Sequence, residues 1–349
     1  MNSYHKSKPS DSVSTSFIVS ASPLFAGRGA SLSRGLALLG ICALFIFLCS
    51  PLTAQAEGAW RSGWFGDIHV SGGVVDSRPS GLEVFDDNER RDRLDEGTDL
   101  SEGFLLMGGE IGYGFQSTGT MVSAGGGMED PWRVSLGQRM GDWGLITLSA
   151  FYEKQEVWEN PYLTGLDRDE TDSESFGFGL DWDNVRNTGI SIFFRRMEID
   201  VDQDLIGDIA PDLRRDGADT TLGIRYPWNL GAGGVLSGGI SYILIDRDGD
   251  ANSGHGYAAE LNHTLEWGRV SFATGLELVA TEFDETHPVF NEKREEAMFT
   301  VSETVSFAEP FGFKQSYLFG VAGYSETAAD IAFFEGDAFI LGVGIGYRF

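Results

Sequence analysis

Asp337-Ala-Phe-Ile-Leu-Gly-Val-Gly-Ile-Gly-Tyr-Arg-Phe349 closes the chain. Phe339, Leu341, Val343, Ile345, Tyr347 and Phe349 share one parity, and Ile340, Gly342, Gly344, Gly346 and Arg348 share the other. Side chains alternate between the two faces of a strand. One face is therefore wholly apolar, and the other is small or polar with an arginine near its end. A soluble protein would bury the apolar face in a core, whereas an exported chain can turn it towards lipid. The segment reads as the terminal strand of a Gram-negative outer-membrane β-barrel, the part that barrel-assembly machinery engages, with Phe349 as its last residue.

The N-terminus supports export. Lys6, Lys8, Arg28 and Arg34 precede an apolar run from Gly35 to Leu48, and Ala54-Gln55-Ala56 supplies a small-residue cleavage site. The run is about fourteen residues, short of the roughly 20 that a spanning helix needs. Residues 1–56 are expected to be a signal peptide and residues 57–349 the barrel. Both cysteines, Cys42 and Cys49, fall in the signal, which excludes disulfides and thiol chemistry from the mature chain. No later run is apolar and long enough for a spanning helix. A membrane-spanning mature chain must therefore use strands, and only a closed barrel satisfies their hydrogen bonds in lipid. A formal net charge of −28 with no basic patch argues against nucleic acid.

Fourteen alternating segments lie between turn signals: roughly 64–75, 103–116, 119–127, 132–140, 144–156, 174–184, 188–201, 218–228, 235–246, 255–267, 269–282, 297–308, 312–325 and 337–349. If the short third and fourth segments were a single irregular excursion, the count would fall to 12 strands. The connections alternate between short and long, as periplasmic turns and extracellular loops do in this class. All eight tryptophans lie near predicted strand ends, where interfacial girdles place indole rings. The expected fold is all-β, a transmembrane antiparallel up-and-down barrel.

The parity opposite the apolar face defines a polar, glycine-rich lumen. Its candidate pore-lining residues are Glu110, Arg133, Arg139, Glu153, Asp181, Asp183, Arg195, Arg225, Glu260, Glu266, Glu277 and Arg348. Opposed charges in an open pore set a transverse field and an ion preference; in a closed barrel they would be interior ion pairs. Arg195 and Arg196 point to opposite faces, so Arg196 must lie near the outer rim. Asp246, Asp248 and Asp250 resemble a calcium loop, but Ala251 stands where an EF-hand needs glycine. No cofactor is expected, apart from Ca2+ or Mg2+ shared at the acidic loops. Those loops would sit beside outer-membrane lipid and lipopolysaccharide. His69, His255, His263 and His287 are scattered and lack a serine and acid partner, so no enzyme is expected.

Several stretches resemble an uncharacterised Gram-negative family, the domain of unknown function 2860. They are Glu156-Val-Trp-Glu-Asn-Pro-Tyr-Leu-Thr-Gly165, Arg168-Asp-Glu-Thr-Asp172, Glu198-Ile-Asp-Val-Asp202, Asp246-Arg-Asp-Gly-Asp250, Pro310-Phe-Gly312 and Tyr347-Arg-Phe349. The resemblance implies an outer-membrane barrel and transfers no functional residue. The expected function is a porin-like channel for small hydrophilic solutes. The alternative is a non-conducting structural or surface-interaction barrel that presents acidic extracellular loops. Uptake of hydrophobic compounds is a third reading; it would need a hatch and a lateral opening, and neither is legible in the sequence.

Overall fold

Alternation along the chain becomes a closed sheet. The computed structural model describes residues 60–84, 89–95, 97–127, 131–231 and 234–349. The expected signal peptide lies outside the described residues. The strands are β1 (Gly63–Arg78), β2 (Leu100–Phe115), β3 (Thr120–Gly127), β4 (Trp132–Arg139), β5 (Leu145–Trp158), β6 (Glu170–Asp183) and β7 (Ser191–Val201), then β8 (Gly217–Gly231), β9 (Gly234–Arg247), β10 (Gly254–Trp267), β11 (Val270–His287), β12 (Glu292–Ala308), β13 (Ser316–Ala329) and β14 (Gly336–Arg348). Each pairs antiparallel with its chain neighbours, and β1 pairs with β14 to close the barrel. The 12-strand alternative is excluded, because β3 and β4 are separate, paired strands.

Register preserves parity around the wall. Val70 faces Ile345 and Ser71 faces Gly344 across β1–β14, so apolar positions meet apolar ones and small meet small. Val343 is 70% exposed and Phe178 is 53% exposed, both on the outer face. A belt of large apolar side chains exposed all around the wall is unstable in water and stable in hydrocarbon. Arg196 keeps the expected register, reaching Glu198 and Thr220 on the outer face. The outer belt also carries Glu303, which lies on the outward parity of β12 and accepts a hydrogen bond from the Thr274 hydroxyl at 2.5 Å.

The inner glycines have a steric cause. Tyr317 and Phe319 on β13 lie across Gly346 and Gly344 on β14, where an added Cβ would overlap their rings. Phe193 lies across Gly223 in the same way. Glycine therefore makes room for inward aromatics, and the lumen is less open than its glycine content implies.

The tryptophan expectation needs correction at two positions, Trp158 and Trp228, the latter only 7% exposed beside Tyr226. Trp64, Trp132, Trp143 and Trp267 are largely exposed on the wall. Trp158 is fully buried under an extracellular loop, where its indole N–H donates to the Glu83 carbonyl at 2.7 Å.

Candidate functional site: a charged belt beneath a folded cap

Ion pairs between strands one or two apart build the belt. Arg225 on β8 donates to the Glu260 carboxylate on β10, across Gly239 of β9. Glu277 on β11 sits directly opposite Glu260. Arg195 on β7 pairs with Asp181 on β6 at 3.4 Å, and Arg133 on β4 reaches Glu110 on β2 at 3.6 Å. Phe193 stacks between two of these cations, with Arg225 at 4.2 Å and Arg195 at 5.4 Å from its ring centroid. The flat ring limits where the guanidinium groups can swing. Carboxylates of β6, β10 and β11 thus flank arginines of β7 and β8 on one wall.

The other predicted residues do not join this belt. Arg139 is exposed at the short-turn end of β4, stacked on Trp60 at 4.8 Å. Glu266 is exposed at the corresponding end of β10, next to Trp267. Asp183 ends β6 at the same rim. Glu153 lies near the opposite end of β5. Arg348 belongs to a second cluster around Asp67, which pairs with it at 3.3 Å, accepts from the Tyr317 hydroxyl at 2.8 Å and contacts His69 at 3.2 Å. Sequence reading missed Asp67, Tyr317 and the Arg247–Asp219 pair at 2.7 Å. The inward parity of Asp67 was available as a signal.

The long loops fold on one another. Ala329, Ile331, Phe333 and Phe334, at the β13–β14 connection, form a buried cluster with Leu82 and Leu94 of loop 79–99, Tyr162 of loop 159–169 and Phe290 of the β11–β12 turn. Ile206, Leu213 and Ala251 form a second cluster, and Tyr162 packs against this one too. The Tyr162 hydroxyl bonds with Nε2 of the fully buried His287 at 2.9 Å. Tyr162 follows β5 and His287 ends β11, on opposite sides of a fourteen-stranded barrel. The contact therefore crosses the mouth.

Arginines tie the cap together through backbone carbonyls. Arg168 donates to Gly81 O at 2.9 Å and Pro161 O at 3.2 Å, and stacks on Trp158 at 4.1 Å. Burial, with Arg91 nearby, pulls its pKa down to about 9. Arg215 donates to Trp158 O at 2.7 Å and pairs with Asp204. The cap is a packed layer with its own apolar centre.

Glu83 gives this cap a pH dependence. Burial pushes its carboxyl up to about 8, against the opposing pull of the Ser80 amide, which donates to it at 2.9 Å, and of Arg91. An acid whose folded pKa is raised contributes fully below its unfolded value; the contribution fades with rising pH and is gone past the folded value. Hydrogen exchange of loop residues 79–84, corrected for intrinsic rates, is therefore expected to accelerate from about pH 4.5 and to level off above about pH 8. Glu83→Gln should flatten that rise. Equal pH profiles for the two proteins would contradict the assignment.

The calcium expectation finds no cage. Asp246, Asp248 and Asp250 are all exposed, and among the described residues no three metal-capable side chains converge. Backbone geometry explains the spacing: Gly249 and Ala251 are the buried positions here, packed towards Leu213 and its neighbours, so the aspartates point outwards.

A closed antiparallel barrel, apolar outside and charged within, defines the outer-membrane β-barrel class. The chain belongs to the family described as a protein of unknown function, DUF2860, which matches residues 63–348. No curated protein matches it. Similar solved structures include a Pseudomonas aeruginosa FadL homologue (10% identity, 82% of this chain, 90% of that one, TM-score 0.39). Others are the outer-membrane channel DcaP of Acinetobacter baumannii (8% identity, 82% and 96%, TM-score 0.41) and Pseudomonas aeruginosa OprD (8% identity, 86% and 99%, TM-score 0.38). Likeness this remote carries no functional information. The barrel stands on its own strand pairing.

Proposed function

We propose that the protein is a gated outer-membrane channel for small hydrophilic solutes, exported by its signal peptide. The carrying observation is the vertical order of the lumen: paired charges line its middle, and a folded cap crosses the mouth above them. The inward polar side chains of Asn262, Glu266 and Arg133 remain exposed. Such a passage conducts when the cap loosens and is restricted when it packs.

Among the twelve pore-lining candidates, acids outnumber arginines by seven to five. Cation preference follows. In planar bilayers under a potassium chloride gradient, the reversal potential should take the cation-selective sign. Arg225→Ala should shift it further in that direction, because Glu260 loses its countercharge. Discrete conductance that is neutral or anion-selective would refute the selectivity. No discrete step, from either the wild type or a cap-loosened variant, would refute the channel.

A further inference from the structure

We propose that two copies of this chain pair side by side in the membrane through the outer faces of β10, β11 and β12, with His263 of each copy meeting the partner's Glu303. Three polar side chains stand in one row across these strands. His263 on β10 lies opposite Thr274 on β11, and Thr274 lies opposite Glu303 on β12. All three share the outward parity of Leu261, Leu276 and Val301.

The row lies within the apolar belt. Trp267, 76% exposed, ends β10 at the short-turn rim. His263 is four residues above it, about 10 Å along the membrane normal for a strand tilted by ~40°, in a band about 25 Å tall. An ionisable side chain at that depth is costly unless it is partnered. The Thr274 hydroxyl satisfies only one carboxylate oxygen, Oε2 of Glu303. Among the described residues His263 has no hydrogen-bond or ion-pair partner. Within one copy, two strand spacings, about 10 Å, hold His263 and Glu303 apart.

A two-fold axis along the membrane normal through Thr274 supplies both missing partners. It sets β10 of one copy against β12 of the other, so the same pair forms twice, as an isologous contact requires. Walls packed face to face lie about 10 Å apart, and strand tilt offsets His263 from the partner's Glu303 by about 6 Å in height. An imidazole and a glutamate side chain together span that separation. The occupant is a second copy because the row is its own complement, acid and base flanking one central residue. Acyl chains at this depth offer neither group.

Beside Glu303 the wall is low. Ala322 on β13 lies opposite Glu303, and outward Gly320 follows two residues away. Gly320 has no positive φ, and an added Cβ would meet only Gly342 O at 3.8 Å. Nothing within one copy calls for glycine there, whereas a low wall lets a second barrel approach. The inference stands apart from the channel reading, because the contact uses the outer face and conduction the lumen.

Photo-crosslinking tests the pairing. The folded protein carries p-benzoylphenylalanine at Val301, beside the axis, or at Leu148 on the far wall, and is irradiated at high dilution in phosphatidylcholine liposomes. Covalent dimers are expected from position 301, with only background from 148. Glu303→Leu and His263→Leu should each lower the dimer yield at least tenfold. Exchanging the two residues, His263→Glu with Glu303→His, should restore it. Lipid adducts alone from position 301 of the otherwise unaltered chain, equal dimer yields from 301 and 148, or undiminished dimers in both single variants would overturn the proposal, whether or not the exchanged chain folds. An exchanged chain that folds and stays monomeric would overturn it as well.

Discussion

Val301→Arg will destabilise the folded barrel in a bilayer by about 2–4 kcal/mol, and Ser302→Arg, one residue away, will change it by about 0.5 kcal/mol or less. The two positions lie on opposite faces of β12. Val301 pairs with Leu276 and Tyr324 on the outer surface, and Ser302 pairs with Gly275 and Gly323 on the inner one. An arginine at 301, midway along the strand, must place its guanidinium in hydrocarbon or distort the bilayer to reach water. At 302 it enters a lumen that already accommodates Arg195 and Arg225. Urea-dependent folding into large liposomes measures both changes. Equal costs at the two sites would mean that the outward face does not contact lipid.

On the proposed gated-channel reading, Phe333→Ala will convert a mostly closed barrel into a mostly open one. Phe333 is fully buried at the centre of the larger cap cluster, touching Tyr162 and Phe290 and lying beneath Arg91. Truncating a buried phenylalanine costs about 3–5 kcal/mol. Because the side chain packs only within the loops, the cost falls on cap closure and not on the barrel wall. At 1.4 kcal/mol per tenfold, the ratio of closed to open states should fall by about two to three and a half orders of magnitude. Single-channel open probability reads this directly. Thermal unfolding of the barrel should shift little. An unchanged open probability in a folded variant would show that the cap does not gate.

Strictly local information was legible in the sequence. Parity along Phe339–Phe349 appears in any strand written out, and turn signals fixed all fourteen segments to within a few residues. Ion-pair partners were less legible, since which acid meets Arg225 depends on the register of β8 and β10 across β9. The cap was invisible for a physical reason: its contacts join residues far apart along the chain, such as Tyr162 and His287, separated by 125 positions. Buried Trp158 mimicked a girdle tryptophan because a strand end under a loop and a strand end in an interface have the same local sequence. The third and fourth strands were recognisably short. The glycines of β14 suggested an empty lumen because the rings that occupy their space come from β13.

One measurement tests the lipid-facing wall most directly. Residues 57–349 contain no cysteine, so a chain of those residues allows single spin labels to be placed at each position from 339 to 347 of β14 in a bilayer. Odd positions should collide preferentially with membrane-dissolved oxygen and even positions with an aqueous nickel chelate, alternating with a period of two. Uniform water access, or loss of both collision types on the odd face, would place those side chains in solvent or in a protein core and contradict the account.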